Sequence, residues 1–253
     1  MKKSCQLDTL RNFTDQLLEI GRYKDYCPNG LQVQGKQEIH KIITGVTASK
    51  ALIEAAIDVK ADAIFVHHGW FWRNDESAIV GQLFHRLKLL MDHEISLFAY
   101  HLPLDGHLKL GNNAQLAKLL GWEVTGQAIN NELLWLGRPA KSNISLEQFA
   151  ADIEKKLDRK PLLIGDPARK IKKIAWCTGA AQGYLQHAVE QGVDVFISGE
   201  VSEPTFHLAQ ESGVAYIAAG HHATERYGVD ALGQALAKQF GITHEFIDIY
   251  NPV

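Results

Sequence analysis

Two adjacent histidines, His67 and His68, lie in the stretch "IFVHHGWFW" at residues 64–72, directly after four apolar residues. Imidazole nitrogens bind divalent metal ions and transfer protons near neutral pH. Such a pair at the end of a buried strand is therefore a candidate for either chemistry. Successive residues of a strand point to opposite faces. The pair serves one ion together only if the strand has already ended; otherwise the two side chains serve different ions, or only one of them is a ligand.

Three further polar groups follow apolar segments in the same way. In open α/β sheets, ligands bind beyond the carboxyl ends of the strands, and side chains at i and i+4 share one face of a helix. Imidazole and carboxylate groups gathered at such an edge favour a site for zinc, iron, manganese or nickel over isolated structural histidines. The three groups are His101-x-x-x-Asp105 after "LFAY", Gly199-Glu200 after "VFIS", and His221-His222-x-x-Glu225 after "YIAAG".

The elements that position these groups alternate between strands and helices. "KIITGVTA" predicts a strand, "SKALIEAAIDVK" predicts a helix with Ser49 as its N-cap, and "ADAIFV" predicts the next strand. The helix "NNAQLAKLLG" is predicted to close at Gly121. Alternation of this kind predicts an α/β fold with mostly parallel sheets covered by helices.

An internal repeat divides the chain into two related parts. "KIITGVTASKALIEAAIDVKADAIFVHHG" and "KIAWCTGAAQGYLQHAVEQGVDVFISGEV" align at an offset of 132 residues, which brings Asp62 opposite Asp194 and His68 opposite Glu200. Both stretches follow the order strand, small-residue loop, helix, strand. The repeat predicts two similar α/β halves with a metal cleft between them.

The middle of the chain interrupts this alternation. Ser145-Leu146-Glu147-Gln148 matches a capping box that starts a helix within it. We therefore expect a first α/β half at 1–121, a connecting subdomain at 122–170 and a second α/β half at 171–253, which together form a single compact unit.

Composition excludes several classes of protein. The chain has 253 residues, 46% of them hydrophobic, and a net charge of −3, which disfavours a dedicated nucleic-acid binder. Three widely separated cysteines argue against a disulfide framework, and no apolar stretch predicts a signal peptide or a membrane span, so we expect a cytoplasmic protein. A serine-hydrolase elbow and a Walker loop are absent from the sequence. The turn "CTGAAQG" is interpreted as a tight strand-to-helix connection, with phosphate binding by its N–H groups as the alternative.

The chain resembles a known family at seven motifs. They are "PNGLQV", "TGVTAS", "VHHGWFW", "HLPLD", "LGNNAQLA", "ISGEVSE" and "GHHATERYG", in order over nearly the whole length. They resemble the GTP cyclohydrolase type 2-like family, also named for NGG-interacting factor three. The resemblance implies a toroidal homohexamer and two divalent metal ions per subunit. The ligands that it implies are His67, His68, Asp105, His221 and Glu225.

The resemblance also implies a role for one further residue, and the internal repeat suggests a second. His101 becomes a candidate for proton transfer or substrate contact, because the ordinary pKa of a histidine lies near neutrality. Glu200 is a candidate for substrate binding, supported mainly by the repeat. The chain is similar to the short form of the family, which has only a small middle segment, and this departure from longer members bears on substrate choice.

Three functions are compatible with these residues. The preferred one is a metal-dependent hydrolase that opens the guanine ring of GTP with loss of formate, using water whose pKa two ions lower toward 7. The second is a metal-dependent nucleotide or phosphoester hydrolase. The third is a ring-shaped metal-binding or partner-binding protein without enzymatic activity, for which Trp70, Phe71 and Trp72 are candidate surface aromatics. Those three aromatics fit the wall of a metal cleft or a subunit contact better than a partner surface.

Overall fold

The computed structural model describes residues 3–129 and 131–253. Its strands are β1 (Cys5–Gln6), β2 (Gly30–Val33), β3 (Glu38–Ile39), β4 (Lys41–Thr47), β5 (Ala63–His68), β6 (Ser96–Ala99), β7 (Glu123–Ala128), β8 (Asn131–Arg138), β9 (Ile144–Ser145), β10 (Leu162–Ile164), β11 (Lys170–Ile171), β12 (Ile174–Trp176), β13 (Val195–Ser198), β14 (Ala215–Ala218) and β15 (Thr243–Phe246). Its α-helices are α1 (Leu7–Leu17), α2 (Lys50–Asp58), α3 (Gly81–Asp92), α4 (Leu102–Gly106), α5 (Asn112–Leu120), α6 (Leu146–Leu157), α7 (Leu185–Glu190), α8 (Glu203–Ser212) and α9 (His221–Phe240). Over the residues described, no helix combines the length and apolar character that crossing a membrane requires.

Two compact units make up the chain. The first comprises Met1–Gly111 and Gly228–Tyr250, and the second comprises Asn112–Tyr227 and Asn251–Val253. These boundaries differ from the expected three segments, because β7 and β8 pair into the same sheet as β12 rather than forming a separate subdomain.

The first unit is built on a five-stranded sheet in the order β15-β4-β5-β6-β2. The first four of these strands run parallel, and β2 runs antiparallel to β6 at the edge. Since parallel strands end at the same edge of a sheet, the residues at and just beyond the ends of β5 and β6 are brought to one side. Those residues include two of the polar groups predicted above.

Strand β5 is buried on both faces, as a central strand of a parallel sheet requires. Ile64 and Val66 belong to a cluster with residues of α2 and α3. Ala63 and Phe65 belong to another cluster with α1 and the later part of α9. Phe65 also stacks on Phe98 of the neighbouring β6, with ring centroids 4.4 Å apart. The histidines at the end of β5 are therefore carried by a strand that is packed on both faces.

The second unit is built on a six-stranded sheet in the order β10-β14-β13-β12-β8-β7. Strands β12, β13 and β14 are parallel, and the three outer strands join antiparallel. The predicted α/β fold is confirmed. The first sheet carries an antiparallel strand at one edge and the second carries antiparallel strands at both edges, which the alternation of strands and helices alone did not predict.

Local capping signals are confirmed where they were predicted. The Ser49 side chain accepts a hydrogen bond from the Leu52 N–H at the start of α2. Ser145 and Gln148 form both hydrogen bonds of a capping box at the start of α6. Gly121 has φ of 68° directly after α5, a conformation that favours glycine.

Candidate metal and proton-transfer site

His67 and His68 are the last two residues of β5, so the strand ends with the pair. Their imidazole rings lie 4.6 Å apart between centroids, although neighbouring strand residues normally diverge. Each of these histidines, together with His101, offers a ring nitrogen within 4.8 Å of the others. The end of the strand therefore brings three imidazoles of the first unit together.

The orientation of His67 is fixed by the neighbouring strand. Its Nδ1–H donates to the carbonyl oxygen of Tyr100 at 2.9 Å, and its Nε2 lies 3.4 Å from Asp105 Oδ1. His67 is fully buried and Asp105 is 6% exposed. A backbone acceptor on Nδ1 sets the tautomer in which Nε2 carries the lone pair, which is how metal-binding histidines are usually oriented.

Asp105 reaches this position through the short helix α4. His101 is the N-cap residue of that helix, and the Asp105 N–H donates to the His101 carbonyl oxygen at 3.1 Å. The predicted His-x-x-x-Asp spacing thus becomes one helical turn directly after β6.

The ring of His101 is held by a carboxylate that precedes β2. Its Nδ1–H donates to Asp25 Oδ1 at 2.8 Å. Burial alone would raise the pKa of Asp25, but the hydrogen bond and charge of His101, with hydrogen bonds from Asn29 and Leu102, lower the pKa to about 2. Asp25 is therefore ionised at neutral pH and accepts hydrogen bonds only.

The aromatic residues after the histidine pair divide between core and site. Trp70 is only 6% exposed, and its indole N–H donates to the Ala48 carbonyl oxygen. The alternative in which Trp70 is a surface aromatic for a partner is wrong, because the loop returns this side chain to the core. Phe71 is 38% exposed. Trp72 packs edge-on against the His101 ring at 5.0 Å between centroids.

The second unit presents His221 and Glu225 on the first turn of α9. His221 Nε2 lies 3.1 Å from Glu225 Oε2, as expected for side chains at i and i+4. Glu225 is 2% exposed, and a carboxylate that deeply buried needs a cationic partner, a hydrogen-bond donor or a metal ion.

Glu200 binds the other nitrogen of the same histidine. His221 Nδ1 lies 2.6 Å from Glu200 Oε1. Burial alone would lower the pKa of His221, but the hydrogen bond and charge of Glu225, and then those of Glu200, raise it to about 9. The structure thus places Glu200 on a histidine, in the arrangement of a carboxylate that orients a metal ligand.

The loop after β12 leaves room for the Glu225 carboxylate only because it contains Gly179. A Cβ atom at this position would collide with Glu225 Oε1 and would lie 3.2 Å from His221 Nε2. Two amides of this loop are used internally: the Gly179 N–H donates to Thr224 Oγ1 and the Ala181 N–H donates to Ser198 Oγ. These contacts support the tight-connection interpretation of "CTGAAQG" over phosphate binding.

The donor groups of each unit fit a divalent transition-metal ion. The first unit offers imidazole nitrogens beside the buried carboxylate of Asp105, and the second offers an imidazole beside the buried carboxylate of Glu225. A further group, formed by Asp25, Cys27 and His101, fits less well. Burial and the charge of Asp25 raise the pKa of the Cys27 thiol to about 12, so the thiol keeps its proton.

Residues that the sequence did not single out support this site. Asp25 lies just before the turn "CPNG" and Asn29 lies within it, and this turn by itself indicates only a connection into β2. Gly179 lies in a loop that was interpreted as a simple turn. The only signal in the sequence was an acidic residue close to a Pro-Asn-Gly turn, and that pattern is too common to indicate a partner.

Comparison with known proteins agrees with the motifs. Residues 5–252 match the family described as Duf34/NIF3 (NGG1p interacting factor 3). A Pseudomonas aeruginosa protein named GTP cyclohydrolase 1 type 2 homolog is 50% identical over 249 residues, which are 97% of this chain and 98% of that protein.

Solved structures are similar over the same length. One, described as protein ybgI of unknown function, has a TM-score of 0.94 and 46% identity, covering 98% of this chain and 100% of that chain. Another, TTHA1606 from Thermus thermophilus, has a TM-score of 0.89 and 32% identity with the same coverage. With these likenesses and a family match over nearly all of its length, the chain belongs to the Duf34/NIF3 family.

Proposed function

We propose that the protein is a metal-dependent hydrolase that opens the guanine ring of GTP with loss of formate. The name of the Pseudomonas aeruginosa relative, GTP cyclohydrolase 1 type 2 homolog, supports this substrate. We propose that each subunit binds two divalent ions, which are zinc, iron, manganese or nickel. The proposed ligands are His67, His68 and Asp105 from the first unit, and His221 and Glu225 from the second.

One observation carries the metal proposal. In each unit a histidine Nδ1 is held by a fixed acceptor while Nε2 faces a buried carboxylate, at 3.4 Å in His67–Asp105 and 3.1 Å in His221–Glu225. A lone pair and a carboxylate oxygen repel each other at that distance unless a cation lies between them. A proton on Nε2 can be that cation, but the ring is then a charged imidazolium. A divalent ion can lie between the same two atoms while the ring stays neutral.

The chain's own residues supply orientation and proton transfer. Bound divalent ions supply Lewis acidity and bring the pKa of water toward neutrality. His101 is the proposed general acid or base, acting at Nε2, because its Nδ1 is already engaged by Asp25. Trp72 packs against the His101 ring and limits the space around it.

Metal content is the first measurement. Protein purified without chelators or a histidine tag is analysed for metals beside His68→Ala, Glu225→Ala and the surface control His207→Ala, whose ring pairs with Glu203 on α8. We expect about two ions in the native protein and in the control, and far fewer in the two ligand variants. Equal metal content in all four proteins would show that His68 and Glu225 are not metal ligands.

Product analysis separates the activity from its alternatives. Metal-loaded protein is incubated with GTP, and both formate and inorganic phosphate are measured. Formate release that depends on metal supports ring opening, whereas phosphate without formate indicates a phosphoester hydrolase. If neither formate nor phosphate is released, GTP is ruled out as the substrate.

The resemblance also leads us to propose a cytoplasmic, toroidal homohexamer. Sedimentation velocity checks this proposal, and a particle with the mass of one or two chains would contradict it.

A further inference from the structure

We propose that Asp25 is the positioning residue of His101: it keeps the imidazole proton on Nδ1 and so presents the Nε2 lone pair for proton transfer. This inference rests on the proposed function, because it assigns a purpose to the orientation of His101. The tautomer of His101 is nevertheless measurable without any substrate.

Asp25 is itself held by a dense set of hydrogen bonds. Its Oδ1 accepts from His101 Nδ1 at 2.8 Å and from the Tyr26 N–H at 2.7 Å. Its Oδ2 accepts from Asn29 Nδ2 and from the Leu102 N–H, both at 2.9 Å. The Asp25 side chain is 4% exposed. Four donors on one buried carboxylate leave it little freedom to rotate away from the histidine.

The backbone of His101 is fixed by the same loop. The His101 N–H donates to Asn29 Oδ1 at 2.7 Å, while Asn29 Nδ2 donates to Asp25. The loop before β2 therefore holds both the main chain and the ring of His101. This double anchoring exceeds what a single ion pair on the surface provides.

An ionised carboxylate can only accept hydrogen bonds, so the atom that faces it must carry the proton. With the proton on Nδ1, a neutral His101 has its lone pair on Nε2. The ring lies among His67 and Trp72, each 5.0 Å away between centroids, with a side-chain exposure of 14%. The lone pair is thus held in a mostly buried position beside the candidate ligands, where a fixed direction favours proton transfer.

An amide at position 25 would lose this selectivity. In Asp25→Asn the Nδ2 group can donate to an unprotonated Nδ1, which moves the ring proton to Nε2. In the serine-protease triad, where a buried aspartate orients the catalytic histidine, the same replacement lowers kcat by about 10⁴ and leaves the geometry intact. A carboxylate with a merely structural role would lower stability on replacement without moving the proton.

The test is the tautomer of His101 in the full-length protein, read from ¹⁵N chemical shifts of labelled histidine at about pH 9, above the ordinary histidine pKa of about 6.5. We expect the proton on Nδ1 in the wild type, a shift toward Nε2 in Asp25→Asn, and restoration of Nδ1 in Asp25→Glu. The matched control is Asp62→Asn, which removes a buried carboxylate that bonds to backbone N–H groups elsewhere in the same unit. A wild-type proton on Nε2, or an unchanged tautomer in Asp25→Asn, overturns the inference. If Asp25→Asn does not fold, the wild-type tautomer decides alone.

Kinetics give the second readout. For the metal-dependent reaction we expect Asp25→Asn to lower kcat by about 10² to 10⁴, the usual contribution of general acid–base catalysis, with KM and metal content unchanged. An unchanged kcat overturns the proposed role in proton transfer. Absence of turnover in the wild type would instead count against the proposed function, while the tautomer would still test the role of Asp25.

Discussion

Asp62 and Asp194 make the same contacts at equivalent positions of the two units. Asp62 Oδ2 accepts hydrogen bonds from the backbone N–H groups of residues 40 and 41, at 2.9 and 3.0 Å. Asp194 Oδ2 accepts from those of residues 172 and 173, at 2.8 and 2.9 Å. Every one of these positions is separated from its counterpart by 132 residues. The repeat in the sequence therefore corresponds to a repeated structural device, in which an aspartate before one strand fixes the start of the neighbouring strand.

The same offset relates His68 to Glu200, where the chemistry differs. His68 closes β5, and its Nδ1 lies 3.3 Å from Thr47 Oγ1. Glu200 follows β13 and bonds to His221. The two units thus share the framework of strands and their anchors, while the residues at the strand ends have different tasks.

The hydrogen bonds of Asp62 predict a loss of stability in Asp62→Asn that depends on pH. Burial alone would raise the pKa of Asp62, but hydrogen bonds from His40 and Lys41 and the ammonium group of Lys36 lower it. A carboxylate of this kind adds stability above its unfolded pKa of about 3.9, and that stability is lost as the pH falls through the folded pKa. We expect a loss of about 1–3 kcal/mol at pH 7, measured by urea unfolding.

The difference between wild type and Asp62→Asn should shrink as the pH falls below about 4. The control is Asp58→Asn, which changes an exposed carboxylate at the end of α2. A difference that stays constant down to acid pH would show that the hydrogen bonds, rather than the charge, carry the effect.

Much of the fold could be predicted because its determinants are local. Apolar runs located β4 and β5, and the cap at Ser145 located the start of α6. Those signals lie within a few residues of the structure that they specify. The antiparallel pairing of β8 with β12 depends on contacts between distant parts of the chain, so local patterns predict a separate subdomain in the middle segment instead.

The candidate site shows the same division between local and distant determinants. The turn at His221 to Glu225 could be predicted, because both residues lie on one helical turn. The contact between Asp25 and His101 spans 76 positions, and no periodicity indicates it. The burial of Trp70 could not be predicted either, because it accompanies contacts with the distant Gln32, whose side-chain amide binds both the N–H and the carbonyl oxygen of Trp70.

The capping box predicts a modest loss of stability in Ser145→Ala. The Ser145 hydroxyl accepts from the Gln148 N–H, and Gln148 Oε1 accepts from the Ser145 N–H, each at 3.2 Å. Losing the cap should cost about 1 kcal/mol in urea unfolding. Ser142→Ala, in the exposed turn just before, is the control and should be neutral. An equal loss in both variants would assign the effect to the turn rather than to the cap.

The close approach of Gly179 to Glu225 predicts that Gly179→Ala weakens metal binding in the second unit. The added methyl group would displace the Glu225 carboxylate from His221. We expect at least about a tenfold weaker affinity for zinc in a competition titration, since each tenfold step corresponds to about 1.4 kcal/mol.

Backbone strain must be separated from this collision, because Gly179 has φ of 69°. Gly213→Ala is the matched control for strain, because Gly213 also has φ of 69° and nothing lies within 4 Å of an added Cβ. We expect both variants to lose about 1 kcal/mol of stability through strain, and only Gly179→Ala to lose affinity. Unchanged affinity in Gly179→Ala would mean that Glu225 does not bind the ion.

The contact between Glu200 and His221 predicts that Glu200→Gln lowers metal affinity without removing a ligand. A carboxylate on Nδ1 raises the basicity of the ring and fixes its direction, and losing such a partner typically costs about 10–100-fold in affinity. Glu203→Gln is the matched control, because Glu203 pairs with His207 Nε2 at 2.9 Å on the exposed face of α8. In zinc competition titrations we therefore expect a weaker zinc affinity for Glu200→Gln and an unchanged affinity for Glu203→Gln. If Glu200→Gln keeps full zinc affinity but loses affinity for GTP, Glu200 contacts substrate, as the repeat alone suggested, and its bond to His221 is incidental to the metal.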